Sequence, residues 1–460
     1  MRCLPCVWGL FLSGLLVACG GGGGASSVSG GGDPATGGGG QSLTLTLPAG
    51  GLVPADLAVV VAEGDPLSEA VGAAYVAARG VPAANLIRVK LDTSADAISA
   101  TDFSAMRADL QARLPAGVQA TLLTWVAPSR VVGSCTMGIT SAMALGFDAR
   151  YCSPPANACA TTAASPLYDS ESRRPFAELS IRPSMLLGVR TLADAQALIQ
   201  RGVAADATYP AGDGWLVRTT DADRSVRWED FAAQPSAWGN VLRLNYVDNS
   251  GGASASDALV NQRDILFYLT GLAQVGNLAS LQFRPGALAD SLTSFGGALP
   301  SGNGQMPITD WLAAGVTASY GTVEEPCNYL QKYSRASVLI DHYWRGETAI
   351  EAYWKAVQMP GQGLFVGEPL AQPFRDTPSF AIVSGQYQIR TRGLRPGSTY
   401  ALQYRTSATG SWTTLTQFTG VRGQVLDGRA PLPPAAAVQI RWTGPCPDNA
   451  ASTCALAQSQ

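Results

Sequence analysis

Short apolar runs alternate with amphipathic segments in the first part of the chain. Leu57 to Ala62 is a continuous apolar run of strand length, which is typical of a strand buried on both faces of a parallel sheet. Asp65 and Pro66 then suit the start of a helix, and Gly80 suits its end. Successive strand, helix and strand units of this kind predict a parallel sheet. Further strands are predicted at 86–89, 121–126 and 184–189, and further helices at 103–114 and 191–203.

A second series of strands and helices begins near residue 209. Its predicted strands lie at 215–219, 241–246, 265–269 and 316–320, and its predicted helices at 226–233, 287–295 and 308–314. The predicted fold class is therefore α/β, with two parallel-sheet subdomains over 43–208 and 209–376. Regular periodicity weakens over 128–182, which we interpret as a functional or lid-like excursion from the end of a strand.

The C-terminal part of the chain has a different pattern. Helical periodicity stops near Pro378, and short alternating segments separated by glycine and proline turns replace it. This pattern predicts a small β-sandwich of the fibronectin-III kind over 377–443. A tail over 444–460 follows it.

Composition narrows the class of protein. Apolar residues make up 46% and charged residues 14% of the 460 residues, so the chain can form large cores. The net charge of −3 offers no basic surface to a nucleic acid, and we expect no such partner.

The N-terminus predicts export and lipid anchoring. Arg2 precedes an apolar segment that ends in Leu16-Val17-Ala18-Cys19, which resembles a bacterial lipoprotein cleavage site with Cys19 as the lipidated residue. An ordinary signal peptide over 1–19 is the alternative. Residues 20–42 are mostly glycine and serine and predict a flexible tether. We expect a protein of the bacterial cell envelope, held to the outer membrane through its N-terminal lipid, because Gly20 is not an acidic retention residue.

An exported chain with nine cysteines predicts disulfides. Setting aside Cys3, Cys6 and Cys19 leaves six. The natural local pairs are Cys152 with Cys159 and Cys446 with Cys454. Cys135 and Cys327 both follow predicted strands, so they could pair with each other, remain inert thiols, or supply a catalytic nucleophile.

The stretch from Gly315 to Phe374 resembles the end of the second subdomain of gingipain-type cysteine peptidases, which have a caspase-like fold. The matching features are a short strand, a loop, a helix that begins Gly346-Glu347 and continues to Glu351-Ala352, and Val366-Gly367-Glu368-Pro369. Two α/β halves followed by a sandwich also fit that family. The chain is more similar to an uncharacterised bacterial family found in genomes that encode the exosortase protein-sorting system. The motifs that carry this second resemblance lie at 79–85, 139–142, 173–176, 182–185, 285–290, 293–297, 321–326 and 359–363.

The peptidase resemblance lacks its catalytic pair. Such a site needs a histidine after one strand and a cysteine after the next, because the imidazole positions the thiolate and protonates the leaving amine. Here the strand over 265–269 is followed by Thr270 and Gly271, and the segment from Leu281 to Gly297 contains no cysteine. The single histidine, His342, lies inside a predicted helix, where a packed or surface role is expected.

The candidate site residues follow the carboxyl ends of predicted strands, where open α/β sheets bind ligands. Glu324 and Glu325 are adjacent and point to opposite faces of an extended chain, so they cannot form an acid–base pair without a turn. A loop carboxylate that caps a helix or pairs with Arg130 is the simpler interpretation. The catalytic candidates are Asp290, Thr322, Glu324, Glu325 and Cys327, and the binding candidates are Asp65, Arg130, Asp290, Ser294, Thr322 and Glu324.

No cofactor or metal is expected from the motifs. The chain has neither a phosphate-binding glycine loop nor a dinucleotide fingerprint, and it has too few histidines for a histidine-based zinc site. Two functions from different classes remain. The first is a non-catalytic envelope lipoprotein that binds a peptide or a glycan on a degenerate gingipain-like scaffold, with a role in surface-protein sorting. The second is a hydrolase with a non-standard active site at the carboxyl edge of the second sheet.

Overall fold

A computed structural model describes residues 42–459. The predictions made for the signal peptide, Cys19 and the tether up to residue 41 lie outside the described residues. The helices are α1 (Pro66–Arg79), α2 (Ala100–Arg113), α3 (Ile139–Leu145), α4 (Pro175–Leu179), α5 (Leu192–Ala205), α6 (Trp228–Trp238), α7 (Thr309–Ala313), α8 (Ala336–Trp344) and α9 (Ala349–Ala356). Among the described residues, no helix is both long and apolar enough to cross a membrane.

The strands fall into a central group and a C-terminal group. The first group is β1 (Leu57–Ala62), β2 (Leu86–Val89), β3 (Ala97–Ser99), β4 (Ala120–Leu123), β5 (Arg130–Val132), β6 (Thr136–Gly138), β7 (Ser184–Leu186), β8 (Asp213–Arg218), β9 (Arg243–Asp248), β10 (Ile265–Thr270), β11 (Phe283–Ser291), β12 (Ala318–Thr322) and β13 (Gly363–Gly367). The second group is β14 (Ser379–Val383), β15 (Gln386–Thr391), β16 (Thr399–Arg405), β17 (Thr413–Thr419), β18 (Leu426–Pro431), β19 (Gln439–Pro445) and β20 (Thr453–Gln458).

One mixed sheet of ten strands forms the centre of the protein, in the order β2-β1-β4-β7-β13-β12-β11-β10-β8-β9. The pairs within β2-β1-β4-β7 and within β12-β11-β10-β8-β9 are parallel, whereas β13 runs antiparallel to β12. Val366 of β13 pairs with Leu186 of β7 and so joins the two sets of strands. The α/β class with a largely parallel sheet is confirmed, and the two predicted subdomains share one continuous sheet.

The first strand and helix, β1 and α1, were predicted by the sequence pattern, and their structure shows the physical reason. All residues of β1 are buried, as a continuous apolar run requires. The Asp65 carboxylate caps α1 by accepting from the backbone N–H of Leu67 and Ser68 at 2.9 and 3.1 Å. Gly80 ends the helix with a φ of 67°, a left-handed conformation that costs glycine little.

The prediction of a helix over 287–295 is wrong. Residues 283–291 form β11, a central strand between β10 and β12. Alanine and leucine favour helices, but Ala287, Leu288 and Ala289 are fully buried in the sheet, and tertiary packing overrides that weak preference. The Tyr353 hydroxyl donates to the carbonyl of Ala289 at 3.2 Å and so ties α9 to this strand. Asp290 therefore lies on a strand rather than on a helix.

The C-terminal group forms two antiparallel sheets, β14-β15-β18 and β17-β16-β19-β20. Their core includes Tyr387, Tyr400 and Trp442. Two sequence boundaries need correction here. Residues 444–460 are not a tail, because β20 pairs with β19. Leu45 and Leu47, assigned to the first subdomain, pack instead into this second core and add apolar area to it.

The cysteines pair differently from the local-pair prediction. Cys135 is bonded to Cys152 and Cys159 to Cys327, so the predicted pairs Cys152–Cys159 and Cys135–Cys327 are both wrong. The reason is topological: β5, β6 and α3 fold the chain back and bring Cys135 beside Cys152. The predicted pair Cys446–Cys454 is confirmed and links β19 to β20.

The region over 128–182 contains short elements rather than one open excursion. The strand β5 pairs with β3 on one side and with β6 on the other, and α3 packs on β13. The polar run from Tyr168 to Glu171 contacts the C-terminal sheets: Arg395 donates to the Asp169 carbonyl at 3.0 Å, and Ser170 donates to the Pro447 carbonyl at 2.5 Å. The backbone N–H of Asp169 also donates to the carbonyl of Lys355 in α9 at 2.9 Å, so this run links α9 to the loops of the C-terminal sheets.

Candidate functional site

A cleft of about 360 Å³ opens where the loops that follow β8, β11 and β12 meet. Since these strands are parallel members of one set, their carboxyl ends lie at one edge of the sheet, where ligands of α/β proteins bind. Most side chains that line the cleft are polar. The lining residues are Asp223, Arg224, Leu292, Thr293, Ser294, Glu325, Cys327, Asn328 and Tyr333.

Asp290 lies beneath this cleft and is buried. Arg227 Nη1 donates to Asp290 Oδ1 at 2.7 Å, and the Ser334 hydroxyl donates to Oδ2. Arg227 also donates through Nη2 to the Thr270 carbonyl at 2.5 Å, so its guanidinium ties β10 to β11. One oxygen of the Asp290 carboxylate is therefore in a buried ion pair with Arg227 and the other accepts from Ser334, which is a structural role and leaves no free acid or base there.

Thr322, the last residue of β12, positions one wall of the cleft. Its side chain is buried, and its Oγ1 donates to the carbonyls of Thr293 and Ser294 at 3.0 and 2.9 Å. The hydroxyl therefore fixes the loop after β11 against the end of β12. Ser294, one of the residues predicted to bind, is half-buried and lines the cleft.

The two adjacent glutamates differ in their surroundings. Glu325 lines the cleft, and its Oε1 accepts from the backbone N–H of Cys327 at 2.8 Å, which closes a tight turn. Glu324 is half-buried and is not among the lining residues. The structure therefore places one carboxylate, and not an acid–base pair, at this position.

Cys327 carries no free thiol, because it forms the disulfide with Cys159.

Beside that bond lies Lys332, whose side chain is fully buried. Its Nζ donates to Ser153 Oγ at 2.9 Å and to the carbonyl of Ala160 at 2.8 Å. Burial lowers the pKa of Lys332 to about 8, although the charge of Glu325 opposes the shift. No spacing or motif in the sequence marked this lysine.

Asp65 and Arg130, also predicted to bind, do not join this cleft. Asp65 is the cap of α1, as described above. Arg130 lies on β5 and is half-buried. The lining of the cleft contains neither residue. Arg224, which the sequence did not single out, does line it; Arg224 Nη1 donates to Asp221 at 2.7 Å and Nε to Thr293 Oγ1 at 3.3 Å.

His342 is fully buried in a network of charged side chains and does not line the cleft. Its Nδ1 contacts Glu347 Oε1 at 3.0 Å, and its Nε2 contacts Asp169 Oδ1 at 3.1 Å. Burial acts to lower the pKa of His342, but Glu347 and Asp169 outweigh it and the pKa is raised. Arg345 forms a two-pronged pair with Glu171, with both distances 2.9 Å. The packed role expected for this histidine agrees with its complete burial.

The same network of charged side chains accounts for the lowered pKa of Glu347. Burial alone would raise its pKa, yet His342 and the ammonium of Lys355, which is 2.7 Å from Glu347 Oε1, hold the pKa well below its usual range. Glu351 completes a capping box with Thr348 at the start of α9, as the sequence predicted. These carboxylates stabilise α8 and α9 and need no catalytic explanation.

Within residues 42–459, no group of three or more His, Cys, Asp or Glu side chains could hold a metal ion.

The chain was compared with known proteins. No family model matches the chain, and no curated protein matches its sequence. One solved structure, described as "Structure of Protease", is similar over 88% of this chain and 97% of its own, with a TM-score of 0.36 and 10% sequence identity. A similarity of that size says nothing about the chemistry of the cleft.

Proposed function

We propose that the protein binds a peptide in the cleft after β8, β11 and β12 without cleaving it. The observation that carries the proposal is that three catalytic candidates are already held in bonds within the protein. Asp290 is held in a buried ion pair, Thr322 donates to two carbonyls, and Cys327 is in a disulfide. Hydrolysis of a peptide needs a nucleophile or activated water together with a general base in reach of it, and these groups offer neither.

The lining supports a peptide ligand. Arg224 and Glu325 present opposite charges, and Ser294 and Asn328 add a hydroxyl and an amide. A peptide main chain carries alternating N–H donors and C=O acceptors, which pair with such mixed groups. A glycan offers hydroxyl groups to the same side chains and is the alternative ligand within this proposal.

The alternative function is a hydrolase with a non-standard site. It would rely on Glu325 as the sole carboxylate of the β12 loop in the cleft, with Lys332 beneath it. The Glu325 side chain already accepts from Cys327 N–H, and the Lys332 ammonium faces Ser153 and Ala160. We therefore favour binding over hydrolysis.

The cellular setting is proposed on the sequence alone. The lipoprotein-like N-terminus supports anchoring in the bacterial envelope, and the resemblance to an exosortase-associated family supports a role near surface-protein sorting. The similarity to gingipain-type peptidases supports descent from a caspase-like scaffold that no longer has its Cys and His pair. None of these three statements is needed for the binding proposal.

Binding can be tested with the immobilised full-length protein. A random decapeptide library and a panel of bacterial oligosaccharides are passed over it, and retained molecules are identified by mass spectrometry. We expect retained peptides, and a loss of affinity of about tenfold or more in Glu325→Ala and Arg224→Ala, since hydrogen bonds to charged groups are worth about 1.5–3 kcal/mol. Glu63→Ala is the matched control, because Glu63 is exposed and does not line the cleft. Retention that all three variants preserve would place the ligand elsewhere.

A further inference from the structure

The outer face of the sheet β17-β16-β19-β20 carries a groove of about 260 Å³. Tyr400, Leu402 and Trp442 belong to the core between the C-terminal sheets, so the residues that alternate with them along the strands point outward. The groove shares no lining residue with the cleft described above, and the inference drawn from it does not depend on the proposed peptide binding. The lining residues are Thr399, Ala401, Gln403, Gln417, Arg441, Thr443, Thr453 and Ala455.

Two arginines are neighbours on this face. Arg441 of β19 is paired with Gln403 of β16, and Arg405 of β16 is paired with Gln439 of β19. Arg405 and Arg441 are therefore diagonal neighbours on adjacent strands, with Cα atoms roughly 7–8 Å apart. Arg441 Nε donates to Gln403 Oε1 at 2.8 Å, and Arg405 Nε donates to Gln439 Oε1 at 2.6 Å. These acceptors are neutral amides, and a guanidinium has five N–H groups, so each arginine keeps N–H groups for a ligand.

Trp412, just before β17, holds both guanidinium groups. The Cζ atoms of Arg405 and Arg441 lie 4.7 and 4.3 Å from the centre of its ring. A cation over the face of a tryptophan is attracted to it. The ring therefore restrains two long side chains at one place, and less side-chain ordering is needed when a ligand binds there.

The charge on this face is unbalanced. The four strands of the sheet contain no aspartate and no glutamate. Burial lowers the pKa of Arg441, and the nearby charge of Arg405 lowers it further. Two like charges that lie together without a carboxylate are stabilised by an anionic ligand.

The other groups in the groove favour a sugar chain as the carrier of that negative charge. Gln417, Thr399 and Thr453 are exposed and line the groove, and their amide and hydroxyl groups donate and accept as sugar hydroxyls do. Threonine is common on strand surfaces, so these side chains indicate a ligand only together with the arginine pair. A nucleic acid carries a phosphate on every nucleotide and is bound by larger sets of lysine and arginine than this face offers.

We propose that the outer face of this sheet binds an acidic polysaccharide. Carboxylates of the sugar chain accept from Arg405 and Arg441, and its hydroxyl groups pair with Gln417 and the exposed threonines. Arginine suits this role because its N–H groups lie in one plane and can make two parallel bonds to a carboxylate.

The test is isothermal titration calorimetry on the full-length protein. The probes are hexagalacturonate, hexamannuronate, the methyl ester of each, and a hexanucleotide of deoxythymidine. We expect an acidic hexasaccharide to bind, and its ester, which keeps the sugar rings but lacks the negative charges, to bind at least about tenfold more weakly. Equal binding of the acid and its ester would overturn the proposal, and so would heat from neither acidic hexasaccharide at concentrations up to roughly 10 mM. Tighter binding of the hexanucleotide than of both hexasaccharides would overturn the choice of a polysaccharide.

Variants locate the bound saccharide. Arg405→Gln and Arg441→Gln should each weaken binding of the acidic hexasaccharide by about tenfold or more. Gln417→Ala should weaken it by a smaller factor, and because Gln417 is exposed this variant keeps the test valid if an arginine variant is unstable. Arg429→Gln is the matched control, since Arg429 is exposed on β18 of the other sheet and does not line the groove.

Two results with these variants contradict the proposal. If the arginines only cover Trp412, Arg405→Gln and Arg441→Gln will bind the hexasaccharide as the wild-type protein does. If Arg224→Ala abolishes binding while the variants of the sheet retain it, the saccharide lies in the cleft and not on this face.

Discussion

Cys159 and Cys327 are joined by a disulfide although 168 residues separate them in the sequence. The bond fastens the region over 128–182 to the loop that follows β12. At the other end of that loop, the Thr322 hydroxyl holds the end of β12 to the carbonyls of Thr293 and Ser294. The rim of the cleft is therefore held at two points, which favours a preformed binding surface because less ordering is needed when a ligand binds.

The first prediction concerns this disulfide. Replacement of Cys159 and Cys327 together by serine should lower the free energy of unfolding by about 2–5 kcal/mol, because the bond closes a long loop in the unfolded chain. Urea unfolding followed by intrinsic fluorescence measures the change. The paired replacement of Cys446 and Cys454 is the matched control. That bond spans only 8 residues, so a smaller loss of about 2.5 kcal/mol or less is expected.

Peptide mapping without reduction checks the pairing itself. We expect cross-linked peptides that contain Cys135 with Cys152 and Cys159 with Cys327. A peptide that links Cys152 to Cys159 would show that the local pairing was correct and that the account of the cleft rim is wrong.

The second prediction concerns the ion pair of Asp290 and Arg227. Asp290→Ala should lower the free energy of unfolding by about 3–5 kcal/mol, because it leaves the buried Arg227 guanidinium without a counter-charge. Asp223→Ala, an exposed carboxylate in the cleft, should change it by no more than about 0.5 kcal/mol. Denaturant unfolding at neutral pH gives both values. An Asp290→Ala protein of unchanged stability would show that Asp290 is not structural and would return it to the list of functional candidates.

The third prediction is a pH dependence that arises from His342. Because its pKa is raised on folding, the folded state binds a proton more tightly than the unfolded state. The stabilisation is therefore fully present below the unfolded pKa of about 6.5 and is lost as the pH rises through the higher folded pKa. Relative to His342→Asn, the wild-type protein should lose stability over this window. Urea titrations at a series of pH values test it, and parallel curves for the two proteins would contradict the raised pKa.

The fourth prediction concerns Lys332, for which stability should increase rather than decrease as the pH rises. Its folded pKa of about 8 is below its ordinary value of 10.5, so the unfolded state binds more protons between these two pH values. The wild-type protein should therefore gain stability relative to Lys332→Met as the pH rises from 8 to 10.5. The same titrations, extended to alkaline pH, measure the difference. A difference that stays constant with pH would mean that Lys332 has an ordinary pKa in the folded protein.

The sequence was sufficient to predict those elements whose ends are set by contacts between residues close together in the chain. The cap of α1 at Asp65, its end at Gly80 and the capping box of Thr348 and Glu351 were all predicted from neighbouring residues and are present in the structure. The strand β1 was predicted from its continuous apolar run. A strand that is buried on both faces has apolar residues at successive positions, and every residue of β1 is buried. Three residues of the loop after β12, Glu325, Cys327 and Asn328, line the cleft, and the first two were candidates from the sequence.

Features that depend on distant contacts could not be predicted. β11 has a composition that favours a helix, and only its place between β10 and β12 makes it a strand. The partner of Cys327 depends on how the region over 128–182 returns to the sheet. The role of Asp290 depends on Arg227, which lies 63 residues earlier and carries no motif. Lys332 acquires its depressed pKa only through burial against Ser153 and Ala160.

The central claim is that the cleft binds a peptide and does not hydrolyse it. The most direct measurement incubates the full-length, disulfide-bonded protein with the decapeptides that it retains, and it follows both retention and new peptide termini by mass spectrometry. We predict retention that is weakened in Glu325→Ala and no new termini in any sample. New termini produced by the wild-type protein and abolished by Glu325→Ala would contradict the claim and establish a hydrolase at this site.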